Sequence, residues 1–133
     1  MPACLFVYGT LRGTLGYPLG LAIRSAARDL GLARLEGRLY DCGEYPGAVH
    51  ELGCGSWIVG ELYALDEASP LWAELDAYEG CGPGQSEPFE FERIPCPVAT
   101  DQGATLEAWV YLYRWDLRGL PLIESGDYAR PQA

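Results

Sequence analysis

Apolar and polar positions divide the chain into short elements. Ala3-Cys4-Leu5-Phe6-Val7 is an unbroken apolar run that stops at Tyr8-Gly9-Thr10-Leu11-Arg12-Gly13, the pattern of a buried strand ending in a tight turn. Leu19, Ala22, Ile23, Ala26, Ala27 and Leu30 recur at helical spacing, which predicts a short amphipathic helix over Leu21–Asp29 with Gly31 as its stop. Leu32–Tyr40 alternates, with Leu35, Gly37 and Leu39 on one face. Ala48–Leu52 is short and strand-like, and Trp57–Leu65 is a strand whose Gly60 marks a bulge or a close backbone approach.

Ser69 as N-cap and Pro70 at the first helical position open a second helix, Leu71 to Gly80, with Leu71, Leu75 and Tyr78 as its apolar face. A Gly/Pro loop, Cys81–Pro88, leads to a strand over Phe89–Ile94 that Pro95 and Pro97 limit to a sheet edge. Leu106–Trp115 is a long aromatic strand, and Arg118–Ala133 is irregular, with a loose polar end at Pro131-Gln132-Ala133. Short strands, Gly/Pro turns and two short helices predict an α+β fold: one domain over residues 1–133 with a small, mixed, barrel-like sheet.

Charge narrows the partners. The formal net charge of −10 opposes nucleic acid and anionic membranes. All nine basic residues are arginine, which excludes a lysine Schiff base and a phosphate-binding Walker lysine. The opening residues lack a signal peptide's basic and apolar regions, and no segment has the apolar length of a membrane span, so a cytoplasmic location is expected. Five scattered cysteines and one histidine, His50, make a poor metal site and read as reduced, structural thiols; no metal or cofactor is expected.

Two features carry chemistry. In the Gly9–Gly13 turn, glycine permits a positive φ and close approach of a ligand, and consecutive N–H groups can converge on an anion. On the second helix, with Leu71 at zero, Leu75 falls near ~40°, Glu79 near ~80° and Trp72 near ~100°, so Glu79 points inward between apolar neighbours. Asp76 at ~140° and Glu74 at ~−60° lie further round. Burial and the helix C-terminus both push the Glu79 pKa upward, as suits a general base near neutral pH; the alternative is that its side chain reaches water from a frayed last turn. A carboxylate base and an anion-holding turn together suit a substrate such as an α-amino acid, anionic at one end and losing a proton at another.

Phe-Val-Tyr-Gly-Thr-Leu-Arg at the start, Gly37-Arg38-Leu39-Tyr40, Tyr45-Pro46-Gly47, Gly60-Glu61-Leu62-Tyr63, Leu75-Asp76-Ala77-Tyr78-Glu79-Gly80 and Ser125-Gly126-Asp127-Tyr128 occur in that order. Together they resemble the γ-glutamylcyclotransferase-like superfamily, in its AIG2-like and γ-glutamylamine cyclotransferase branch, over nearly the whole chain. The resemblance implies a small mixed barrel with a pocket beside the first strand's end, and cofactor-free cyclisation of a small γ-glutamyl substrate to 5-oxoproline and an amine. Tyr8, Gly9, Thr10 and Leu11 would then hold the substrate carboxylate, and Glu79 would act as general acid and base. Arg12, Trp109, Tyr113 and Tyr128 are further candidates for the pocket wall. Where many relatives carry Tyr-x-Arg, this chain has Phe91-Glu92-Arg93, and its Cys81–Pro88 loop is longer. A non-catalytic binding protein on the same fold, and removal of a γ-glutamyl group within a biosynthetic route, are the alternatives.

Overall fold

A computed structural model describes residues 2–129; Pro131-Gln132-Ala133 lies outside the described residues. Six strands are present: β1 (Pro2–Val7), β2 (Arg28–Asp41), β3 (Pro46–His50), β4 (Trp57–Asp66), β5 (Phe91–Thr100) and β6 (Thr105–Tyr113). Helix α1 (Pro18–Ala26) precedes β2, and α2 (Leu71–Glu79) joins β4 to β5. The sheet runs β3-β2-β4-β1-β6-β5, and a second pairing of β2 with β5 closes five of these strands into a barrel, leaving β3 on the outside of β2. β1 and β6 are parallel and the other pairings antiparallel.

Side-chain alternation sorts the apolar residues into two cores. Phe6, Leu35, Leu39, Ile58, Leu62, Val98 and Val110 fill the barrel. Leu5 and Val7, on the opposite face of β1, pack with Ile23 of α1 and Leu71, Trp72 and Leu75 of α2 on the outside. Gly60 sits in unbroken register opposite Ala33, and a Cβ there would lie 2.5 Å from the Val7 carbonyl oxygen. Of the two readings for that glycine, close approach is the correct one.

Several expected boundaries move: β2 begins at Arg28, β3 is Pro46–His50, β5 begins at Phe91 and β6 ends at Tyr113, and three further shifts have clear causes. The first helix occupies Pro18–Ala26 instead of Leu21–Asp29, because Pro18 starts it and Arg28 and Asp29 pair with Ala64 and Tyr63 of β4. Gly31 does not stop a helix; with φ of 93° it forms the bulge where the β2 register shifts. β5 continues through Pro95 and Pro97 to Thr100, since β2 pairs only with Ala99 and Thr100 and the prolines lie where β5 has a single neighbour, β6. At α2, the Ser69 hydroxyl accepts from the Leu71 N–H at 3.2 Å, and Pro70, not Ser69, takes the capping position, one residue later than expected.

Candidate active site

The β1–α1 turn is held by what surrounds it. Arg12 N–H donates to the Gly9 carbonyl (3.0 Å), closing the turn, and the N–H groups of Gly9, Thr10 and Leu11 make no hydrogen bond among the described residues. Gly9 and Gly13 do not have the positive φ expected of them; space is what demands glycine. A Cβ at Gly9 would lie 2.7 Å from Pro46 Cγ, and one at Gly13 would lie 2.7 Å from the Tyr63 hydroxyl. The Tyr8 ring is buried, its hydroxyl donating to the Tyr111 carbonyl (2.6 Å) and accepting from the Ala48 N–H (3.2 Å).

Arg12 is not in the cavity wall. The residue is 5% exposed, and its guanidinium donates to Glu61 (3.0 Å) and Asp127 (2.8 Å). Thr14 and Tyr63 also donate to Glu61. Burial alone would raise the Glu61 pKa, but hydrogen bonds from Thr14, Tyr63 and Arg12 outweigh it and hold the carboxyl below its ordinary value. The pair therefore clamps the turn from behind, tying it to β4 and to the segment after β6.

Glu79 is the last residue of α2. Gly80, at φ 79°, ends the helix: its N–H donates to the Ala77 carbonyl (3.2 Å) and that of Cys81 to Asp76 (3.0 Å). One turn earlier, Asp76 accepts both arms of Arg93 (2.8 and 3.0 Å) and the Tyr111 hydroxyl (2.7 Å). Arg93 lies 4.8 Å from the ring centroids of both Trp72 and Trp109. These contacts fasten the helix end to β5 and β6, so the direction in which Glu79 projects is fixed by the barrel.

Turn and helix end meet at a cavity of about 280 Å³. Tyr8, Gly9, Thr10, Leu11 and Glu79 all line it, with Phe6, Val7, Tyr45, Pro46, Tyr78, Glu90, Phe91 and Tyr111. Thr10 Oγ1 and the Tyr78 hydroxyl are hydrogen-bonded at 3.0 Å, joining turn to helix; Tyr78, expected on the buried face, is 52% exposed. Glu79 makes no hydrogen bond or ion pair among the described residues. Burial, and then the nearby Glu90 carboxylate, raise its pKa to about 8. The Tyr8 hydroxyl, desolvated and beside Glu79, has a raised pKa and keeps its proton.

The other candidates lie elsewhere. Tyr113 packs edge-on against Phe91, one layer behind the cavity (5.4 Å between centroids), Tyr128 donates to the Glu44 carbonyl (3.4 Å), and Trp109 holds Arg93. Glu90 and Tyr45 were not singled out from the sequence. The Tyr45 hydroxyl donates to Glu90 Oε2 at 2.5 Å, and its ring packs against Phe91 at 5.8 Å. Only the Tyr45-Pro46-Gly47 string hinted at that wall; Glu90 had no signal. The cysteines are free, and burial raises the thiol pKa of Cys42 and Cys96 to about 11, so neither is a ready nucleophile. His50 Nδ1 is engaged by the Glu36 carbonyl oxygen (2.7 Å).

Known proteins resemble this chain in sequence and fold over almost its full length. "Gamma-glutamylcyclotransferase family protein YtfP" of Escherichia coli K12 is 35% identical over 124 residues, covering 93% of this chain and 94% of that one. The solution structure of E. coli ytfP superposes with a TM-score of 0.64, covering 94% of this chain and 95% of its own, at 35% identity. The crystal structure of an AIG2-like protein from Mus musculus gives a TM-score of 0.70 at 27% identity, covering 93% of this chain and 87% of that one. The family model described as gamma-glutamyl cyclotransferase, AIG2-like, matches residues 5–130. With this coverage, this barrel and a carboxylate beside the opening turn, the chain belongs to the AIG2-like γ-glutamyl cyclotransferase family.

Proposed function

We propose that the protein cyclises a small γ-glutamyl substrate, with Glu79 as general base and then general acid. The observation that carries this reading is Glu79, unpaired, in one small cavity with three unused N–H groups of the opening turn. The substrate α-carboxylate docks on the N–H groups of Gly9, Thr10 and Leu11. Its α-ammonium then lies at Glu79. With a pKa of about 8 the empty site is mostly protonated at neutral pH, and an incoming ammonium favours the carboxylate, bringing the two proton affinities close.

Glu79 takes a proton from the α-ammonium, and the freed nitrogen attacks the γ-carbonyl carbon. As the new ring C–N bond forms and the amide C–N bond breaks, the proton on Glu79 passes to the departing nitrogen; the ring nitrogen then sheds its second proton, which Glu79 relays to the released amine as it leaves as an ammonium. The products are 5-oxoproline and an amine, and the carboxylate is restored. Attack within one molecule needs positioning more than activation, which a turn clamped by Arg12 and a helix end clamped by Asp76 can supply.

A panel of γ-glutamyl amines and dipeptides, with 5-oxoproline release as the readout, tests this beside a Glu79→Gln variant. Release that Glu79→Gln abolishes supports the reading; a folded Glu79→Gln protein with full turnover overturns it.

A further inference from the structure

The cavity holds one more carboxylate than the proposed chemistry uses. Resting on the cyclotransferase reading, we propose that Glu90, held by Tyr45, makes the enzyme select substrates whose leaving amine carries a positive charge. The turn N–H groups answer the substrate's α-carboxylate and Glu79 its α-ammonium, which leaves Glu90 facing the part beyond the scissile amide. Among the described residues the cavity wall carries no arginine or histidine.

Nearby cations are committed elsewhere. Arg12 is held by Glu61 and Asp127, Arg93 by Asp76, and Arg114 by Glu92 (3.5 Å). Arg114 meets Glu90 through the main chain, its N–H donating to the Glu90 carbonyl (2.7 Å). The Glu90 side chain therefore has a hydroxyl for a partner and no counter-charge. Tyr45 packs against Phe91, and its hydroxyl fixes one oxygen of the Glu90 carboxylate at the cavity wall. Its field already raises the Glu79 pKa, which places it within electrostatic reach of the reacting groups.

A leaving amine bearing a carboxylate, such as a dipeptide, would bring a further anion into a site that already holds two. One bearing an ammonium would complete the pairing that Glu90 lacks. Charge matching of this kind sets specificity more than affinity, and like charges brought together are penalised.

Three γ-glutamyl amides of similar length separate the cases: those of 1,4-diaminobutane, n-butylamine and 4-aminobutyrate. Wild-type kcat/KM should rank them cationic, neutral, anionic, with steps on the order of ten-fold that shrink at high salt. In Glu90→Gln the ratios between substrates should collapse toward one, and Tyr45→Phe, which keeps the carboxylate but frees it, should weaken them in part. Ratios that Glu90→Gln leaves unchanged, or an equal loss on all three amides, would overturn the proposal, the second because Glu90 would then serve the common α-ammonium. Absence of 5-oxoproline from every amide with wild-type protein would instead overturn the underlying cyclotransferase reading.

Discussion

Replacing Glu79 by Gln should stabilise the protein at alkaline pH and leave it unchanged at acidic pH. The Glu79 carboxyl has a folded pKa of about 8 against an ordinary value of 4.5, because burial and Glu90 disfavour its charge. A raised folded pKa means the native state holds the proton more tightly than the unfolded chain. That contribution is fully present below pH ~4.5 and is lost as the pH rises through about 8. At ~1.4 kcal/mol per tenfold change in proton affinity the full effect is bounded near ~5 kcal/mol. Water entering the cavity reduces it, and roughly 2 kcal/mol is the working expectation. With an unfolding entropy of ~2.1 cal/mol/K per residue, this corresponds to ~7 °C in Tm for a chain of 133 residues. Thermal denaturation of both proteins at pH 4 and pH 9 reads the difference directly. Matching curves at pH 4 and a higher Tm for Glu79→Gln at pH 9 are expected. A pH-independent difference, or a less stable variant at pH 9, would refute the buried-carboxylate argument whatever the enzyme turns over.

Four further changes probe the same frame. Arg12→Met leaves Glu61 and Asp127 without their cation and should cost ~3–5 kcal/mol, seen as a Tm lower by ten degrees or more. Glu90→Gln removes a negative neighbour of Glu79, so the ascending limb of kcat/KM against pH should move to lower pH for every substrate that is turned over. Asp76→Asn loses the forked pair with Arg93; about 1–3 kcal/mol of stability and a lower kcat, from a less fixed Glu79, should appear in urea unfolding and 5-oxoproline release. Gly9→Ala drives a methyl toward Pro46 and should raise KM about ten-fold with little change in urea midpoint, since the displaced group is the turn proposed to hold the substrate.

The features legible beforehand are those that local rules govern. β1 and its turn are marked by apolar periodicity ending in glycine, and Glu79 by its angle relative to Leu71 and Leu75 and by the helix stop at Gly80. Arg28 and Asp29 continue a helical pattern, yet β4 offers their backbone a ladder that no window around residue 28 contains. Pro95 and Pro97 forbid a paired strand only on one side, and which side is open depends on how the barrel closes. Arg12 reads from the sequence as a candidate for the pocket wall, but its partners are 49 and 115 residues away, so its burial has no local sign. Tyr45 and Glu90 likewise meet 45 residues apart, and an acid between aromatic neighbours is the same string whether it faces a cavity or solvent.

Among the described residues, the segment after β6 contributes none to the cavity wall. It is nevertheless sewn to the rest: Leu122 bridges Tyr40, the Ile123 N–H donates to Leu39, the Val59 N–H donates to Gly126, and Asp127 takes Arg12. A chain still being synthesised thus has every described residue of the cavity wall before it has the carboxylate that steadies the first turn. Substitutions around residues 120–127 offer a remote adjustment, able to loosen or tighten the opening turn while the residues of the cavity wall stay the same.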